Sequence, residues 1–251
     1  MNSGERDDRV DAVILAAGKG TRMKSDLPKV LHELAGKPLV EHVLAAVRAA
    51  GIDRTVVVVG HQAERVRRTC RGDDLVFVDQ RPQLGTGHAV MIAEPELRPG
   101  GLTLILAGDV PLLRPETLRG LVARTASNDV AASVLTCVVP DAGAYGRIVK
   151  DAAGRVLRIV EARDASPEER AIREFNTGLF CFRTNRLREA LATLTTDNDQ
   201  GEYYLTDTVA ALAGRGLRVA AVVADDPSEV VGVNTVAELA EAETIWRRRS
   251  T

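Results

Sequence analysis

The sequence predicts an α/β protein with a mixed, mostly parallel sheet and helices on both of its faces. Short runs at Val10–Ala16, Thr55–Val59, Leu75–Val78 and Leu102–Ala107 are almost continuously apolar, as strands buried on both faces are. Between them lie segments with apolar residues at helical spacing, such as Leu39, Val43, Leu44 and Val47. Strands alternating with helices imply βαβ units and parallel neighbours. These strands run into turns, and ligands in such sheets sit beyond the carboxyl ends of the strands.

In chain order, residues 1–9 read as a disordered tail and 10–249 as a single domain with halves at 10–129 and 130–249. Val10–Ala16 is the first strand, its apolar run broken only by Asp11. Pro38 opens a helix that ends at Gly51, and Thr55–Val59 is a buried strand stopped by Gly60. A polar helix over 62–71, a strand over 75–78, a helix over 86–94 and a strand over 102–107 follow, and Pro115 starts the next helix. The second half begins with a strand over 130–139 and a hairpin of 147–150 with 156–160 around Asp151-Ala152-Ala153-Gly154. Residues 161–174 are charged and contain Pro167, which suggests a surface loop or short helix able to move over a site. A strand over 175–182, helices over 187–194 and 203–213, a strand over 217–224 and a helix from about 235 to 248 complete the order.

Composition narrows the function. The chain is 251 residues long, 45% hydrophobic and of net charge −2, so a sizeable core is available and no global basic field favours nucleic acid or an anionic membrane. The first eight residues lack the apolar stretch of a secretory signal, and no run is long enough to span a bilayer, so the expected location is cytoplasmic. Three cysteines share no metal-binding spacing, and Cys137 and Cys181 fall in strand-like runs as buried thiols.

The first strand empties into Ala17-Gly18-Lys19-Gly20-Thr21-Arg22-Met23, followed by Pro28-Lys29. Glycine turns present backbone N–H groups to an anion, and Lys19, Arg22 and Lys29 add charge for more than one phosphate. A P-loop would need Gly-Lys-Ser/Thr where Gly20-Thr21-Arg22 stands, and the dinucleotide fingerprint would need Gly or Ala in place of Met23. A nucleotide-phosphate loop of another kind remains. Asp109, after Gly108 at a strand end, suits a hard cation and equally a helix N-cap ahead of Pro111.

Leu15-Ala16-Ala17-Gly18-x-Gly20-Thr21-Arg22-Met23 with Pro28-Lys29 resembles the signature of sugar-phosphate nucleotidyltransferases. Ser25 to His32 is similar to the uridylyltransferase domain of the bacterial bifunctional N-acetylglucosamine-1-phosphate uridylyltransferase/glucosamine-1-phosphate acetyltransferases. The likeness continues through Gln83-Leu84-Gly85-Thr86-Gly87-His88, Gly108-Asp109-Val110-Pro111, Tyr145-Gly146-Arg147-Ile148, Asn176-Thr177-Gly178, Gln200 to Asp207 and Gly232-Val233-Asn234. It implies the Rossmann-like nucleotide-diphospho-sugar transferase fold, with 10–129 the nucleotide-binding half and 130–249 the sugar-binding half. The hexapeptide repeats of an acetyltransferase domain are not seen, so that second activity is expected to be absent.

The implied reaction is attack by a sugar 1-phosphate on the α-phosphorus of UTP, with Mg²⁺, releasing pyrophosphate. The resemblance assigns Arg22 to the leaving pyrophosphate and Lys29 to the α-phosphate as catalytic residues. Ala17, Gly18, Gly20, Gln80, Gly85 and Thr86 take the nucleotide, Gly146, Glu161, Asn176 and Thr206 the sugar, and Asp109 with Asn234 the metal. Asn234 alone would read as an N-cap, Lys19 as a solvated cation, and His32 and His88 as packing or capping residues.

Two positions depart from the family. Ala107 stands where a Tyr is usual, which implies a roomier acceptor pocket, and Arg163 stands where a Lys often precedes Asp164. The same chemistry with another sugar 1-phosphate or with dTTP therefore stays open. A non-catalytic nucleotide-sugar-binding protein is the further alternative; its mark would be loss of Arg22, Lys29 or Asp109, all of which are present. Oligomeric state is left open.

Overall fold

The structure is a computed structural model that describes residues 9–249. The expected tail lies outside the described residues except for Arg9, whose carbonyl accepts from Leu102 N. The first half runs β1 (Val10–Ala16), a small hairpin of β2 (Glu33–Leu34) and β3 (Lys37–Pro38), α1 (Leu39–Ala49), β4 (Arg54–Val59), α2 (Ala63–Thr69), β5 (Leu75–Asp79), α3 (Thr86–Ala93), β6 (Leu102–Ala107) and α4 (Pro115–Ala126). The second half adds β7 (Ala132–Val138), β8 (Arg147–Lys150), β9 (Val156–Val160), α5 (Pro167–Arg170), β10 (Glu174–Arg183), α6 (Thr184–Leu191), α7 (Asp207–Gly214), β11 (Val219–Val223) and α8 (Val236–Arg249).

The main sheet has the order β5-β4-β1-β6-β10-β7-β11. β5, β4, β1 and β6 are parallel, β10 runs antiparallel to β6 and β7, and β11 is parallel to β7. The β8–β9 hairpin joins through Arg147, which pairs with Phe175 of β10. β1 has β4 on one side and β6 on the other, so the order reverses between β1 and β6. That reversal opens a crevice at their carboxyl ends.

Both faces are covered, and β1 shows how. Ala12, Ile14 and Ala16 pack toward Val43, Val47 and Leu121, while Val13 packs toward Val90, Leu187 and Val209. The alternation is the two-residue period of a strand with helices on each side, α1 and α4 on one face and α3, α6 and α7 on the other. A smaller cluster of Leu34, Leu39, Leu112, Val233 and Ala242 anchors α8. All three cysteines are buried free thiols, and burial pushes Cys70 and Cys181 up to about 12.

Several boundaries differ from the sequence expectation for local reasons. The helix expected over 203–213 starts only at Asp207, because Tyr203 and Leu205 N are paired with residues 84–87 at the start of α3. Tyr203 N donates to Leu84 O at 2.9 Å, and Tyr203 O accepts from Gly87 N at 2.8 Å. α6 follows β10 without a loop, so it begins before the expected 187. Within 161–174 the short helix is α5, fixed by a Ser166/Glu169 capping box.

Asp11, the one break in β1, is 2% exposed and accepts from Arg98 Nε and from Arg98 N, each at 2.7 Å. Removing one partner of a buried ion pair leaves an uncompensated charge. Arg98→Ala is therefore expected to destabilise the protein by about 3 kcal/mol, measured as the shift in the denaturant midpoint. An unchanged midpoint would show that the Asp11 carboxylate does not need the guanidinium.

Candidate active site

The glycine loop leaves β1 at Ala17 and turns back so that Lys29 lies against it. Gly20 has φ +64°, and a Cβ there would overlap Cβ of Lys29. Glycine at this position is thus what lets Lys29 approach the end of β1. Arg22 lies in the single 3₁₀ turn Thr21–Met23, which is anchored by buried Met23. Lys19 is exposed and lines neither of the two cavities described below.

Four of the expected residues meet at one point. Lys29 Nζ forms an ion pair with Asp109 Oδ2 and donates to Asn234 Oδ1 at 2.8 Å. Arg22 also donates to Asn234 Oδ1 at 2.8 Å. Both capping alternatives fail here. No helix follows Asp109 directly, since α4 starts at Pro115, and α8 is capped by Thr235, whose Oγ1 accepts from Glu238 N at 3.2 Å. Asn234 instead gives its Nδ2 to Gly232 O and turns its oxygen toward the two cations. A Cβ on Gly232 would lie 3.3 Å from Asp109 Oδ2, so that glycine keeps the side of the carboxylate clear. A carboxylate and an amide oxygen converging on one cation form a hard-oxygen donor pair. Among the described residues no group of three or more His, Cys, Asp or Glu is placed to hold a metal, so phosphates and water would complete any coordination shell.

Two cavities flank this cluster. The first, about 370 Å³, is lined by Ala17, Gly18, Lys29, Gln80, Gln83, Gly85 and Thr86 among others. The second, about 460 Å³, is lined by Arg22, Tyr145, Gly146, Glu161, Asn176 and Asn234 among others. Ala107 and Asp109 line both.

In the first cavity Gln80 is buried and works on the protein itself. Its Nε2 donates to Gly85 O at 2.9 Å and lies 3.2 Å from His88 Nδ1. His88 stacks on Tyr203 with ring centroids 6.2 Å apart, the packing role expected of it. Thr86 Oγ1 accepts from Leu205 N at 3.2 Å. Gly85 has φ +103°, and a Cβ there would lie 2.6 Å from Tyr203 O. Gln83, not singled out from the sequence although it stood in a quoted motif, donates to Ala17 O and lines the cavity.

In the second cavity a bulge in β10 between Asn176 and Phe180 presents Asn176, Thr177 and Gly178. Asn176 Oδ1 accepts from Gly178 N at 3.0 Å, and Asn176 N donates to Gly146 O at 2.8 Å. Burial pushes the Glu161 carboxyl above the usual carboxylate range; a hydrogen bond from Thr206 opposes this, while Asp164 and Asp207 add to it. Thr206 departs from the expectation. It does not line this cavity, and its hydroxyl is committed to Glu161 Oε1 at 3.0 Å. Glu238 lines the cavity and was missed, though Thr235-x-x-Glu238 is a capping-box signature that would have freed Asn234 from the N-cap reading.

The family model of the MobA-like NTP transferase domain matches residues 12–211. The chain belongs to that family. As a nucleotidyltransferase of the MobA-like class it is 52% identical over 239 residues to the bifunctional protein GlmU of Cupriavidus pinatubonensis, covering 95% of this chain and 52% of that one. It is 50% identical over 242 residues to the bifunctional protein GlmU of Brevibacillus brevis, covering 96% and 52% respectively. The chain spans about half the length of these curated relatives. A crystal structure of UDP-glucose pyrophosphorylase complexed with UDP-glucose shares the fold at a TM-score of 0.77 and 17% identity, covering 96% of this chain and 99% of that one. No helix among the described residues is long and apolar enough to cross a membrane.

The glycines of this MobA-like site separate into two kinds. Gly85→Ala meets both a positive φ and the Tyr203 carbonyl, and is expected to destabilise the fold by about 1–3 kcal/mol. Gly18→Ala has nothing within 4 Å of its Cβ and is expected to leave the thermal midpoint unchanged while weakening nucleotide binding measured by calorimetry. Loss of stability in the Gly18 variant would contradict a ligand-approach role for that residue.

Proposed function

We propose that the chain transfers a uridylyl group from UTP to N-acetylglucosamine 1-phosphate, giving UDP-N-acetylglucosamine and pyrophosphate. The observation that carries this reading is the junction of two cavities at Ala107 and Asp109, with Arg22, Lys29, Asp109 and Asn234 gathered there. A two-substrate displacement needs such a seam, where one phosphate enters from each side. The similarity to GlmU proteins supports uridylyl transfer to a sugar 1-phosphate, and the particular sugar is taken from the motif resemblance.

The attacking phosphate monoester has a second pKa of about 6, so it is already anionic near neutral pH and needs no general base. The protein's task is to bring polyanions together in line and to neutralise the leaving pyrophosphate. Arg22 suits the pyrophosphate, since a guanidinium grips two oxygens at once, and Lys29 suits the α-phosphate as a compact charge. Asp109 and Asn234 would hold Mg²⁺, which supplies charge neutralisation at the phosphates when bound. The base falls to Gln80, Gly85 and Thr86 with the backbone of Ala17 and Gly18; Gly20 serves by seating Lys29, and the sugar falls to Gly146, Glu161 and Asn176.

Ala107 supports a second reading of the acceptor, because only a methyl group stands at the seam. The same transfer to another sugar 1-phosphate, or from dTTP, would be accommodated there. A matrix of nucleoside triphosphates against sugar 1-phosphates, read as pyrophosphate release, separates the readings. UTP with N-acetylglucosamine 1-phosphate is expected to give the highest kcat/KM, and only with Mg²⁺ present. Asp109→Ala is expected to lower kcat/KM by at least about 10³ and Arg22→Ala by about 10²–10³, each with an unchanged circular dichroism spectrum. Binding of UTP without pyrophosphate release for any acceptor would instead favour a non-catalytic nucleotide-sugar-binding protein.

A further inference from the structure

Thr206 lies in the turn just before α7, is 5% exposed and lies outside the lining of the acceptor cavity. Its hydroxyl donates to Glu161 Oε1 at 3.0 Å. The other carboxylate oxygen, Oε2, faces Gly146, where a Cβ would lie 3.4 Å from it. One oxygen of Glu161 is thus held from behind, and the other is turned toward the glycine that lines the cavity. We propose that Thr206 is a positioning residue, which never touches the sugar phosphate but keeps Glu161 aimed and charged so that Oε2 can accept from a ring hydroxyl. This rests on the reading of Glu161 as an acceptor contact.

The surroundings explain why such a donor is needed. Asp164 on the same turn and Asp207 at the start of α7 both repel a charge on Glu161, and the Tyr204 phenol senses it from the same side. Across the cavity stand Asp109 and Glu238, and the one cation lining it among the described residues is Arg22, which is engaged by Asn234. Burial also favours the neutral carboxyl, and the Thr206 hydroxyl is the group that opposes it. A neutral Glu161 would lose part of its acceptor capacity, so acceptor binding should weaken as pH falls through the raised pKa. Without the hydroxyl that pKa rises further, and the weakening begins at higher pH.

The test is the pH profile of KM for the sugar 1-phosphate in the wild type, Thr206→Val, Thr206→Ser and Glu161→Gln, with KM for UTP measured alongside. Glu161→Gln carries only the titration of the phosphate and of the other groups, so it provides the baseline. Thr206→Val is expected to raise the acceptor KM about tenfold near neutral pH, the loss of a hydrogen bond to a charged group. Its acidic limb should move to higher pH while KM for UTP and kcat change little, and Thr206→Ser should restore the wild-type profile. Equal changes in both KM values with no shift of the limb, or no rescue by serine, would overturn the proposal by making Thr206 a general structural residue. An unchanged acceptor KM in Glu161→Gln would instead overturn the reading of Glu161 itself.

Discussion

The Lys29 ammonium is the interaction on which the rest of the site depends. It joins three parts of the chain that are far apart in sequence: the loop after β1, the end of β6 through Asp109, and the entry to α8 through Asn234. Each partner is held by its own local structure. Lys29 seats against Gly20, Asp109 is continuous with a parallel strand and accepts from Val233 N through its carbonyl, and Asn234 is released from capping by Thr235. A partly buried ammonium is costly to desolvate, and two oxygen partners offset that cost only where their positions are already set. The cluster therefore works as a tie between the first and last thirds of the chain, whatever ligand it also receives.

A second tie lies behind the first. Residues 203–206 touch the 84–87 segment through Tyr203 and Leu205, and reach Glu161 of the second cavity through the Thr206 hydroxyl. Tyr203 stays out of helix α7 because its N–H and carbonyl are already paired with Leu84 and Gly87, and Leu205 N is paired with Thr86 Oγ1. The two cavities thus share a wall in front, at Ala107 and Asp109, and a brace behind. Such an arrangement suits a reaction whose rate depends on alignment of two bound substrates more than on proton transfer.

Much of this was legible in the sequence, and the unread parts share a cause. The parallel half of the sheet follows from apolar runs between helical stripes, and the strand ends place the glycine loop, the 80–87 segment and Asp109 at one edge. The reversal between β1 and β6 and the antiparallel β10 are products of long-range pairing that no local pattern encodes. The 203–206 segment runs straight into the helical pattern of 207–213 and so reads as part of that helix, whereas Tyr203 and Leu205 are paired with residues 84–87. Thr206 is the instructive residue in the site: its place in a motif suggested contact with the sugar, whereas the hydroxyl is spent on a neighbouring carboxylate. Motif membership locates a residue near a site without saying whether it faces the ligand or another side chain.

Ala107 shows the converse. By pattern alone a small residue at the end of a buried strand looks like ordinary sheet packing; its departure from the family's usual Tyr sets it apart, and the two cavities meeting beside it are where its size matters. Its neighbour Gly108 is bounded by Leu15 O, Val30 and Ile14 at 3.2–3.3 Å of a would-be Cβ, so the strand end is confined on its inner side. Any added volume at residue 107 would therefore grow outward into the seam between the cavities. In the proposed reaction, metal and phosphate binding would rest on the Lys29 cluster and be insensitive to that volume, while the space for an acceptor ring would not. On that proposal, reaction type and acceptor choice would be set by different residues around one strand end, and could vary independently.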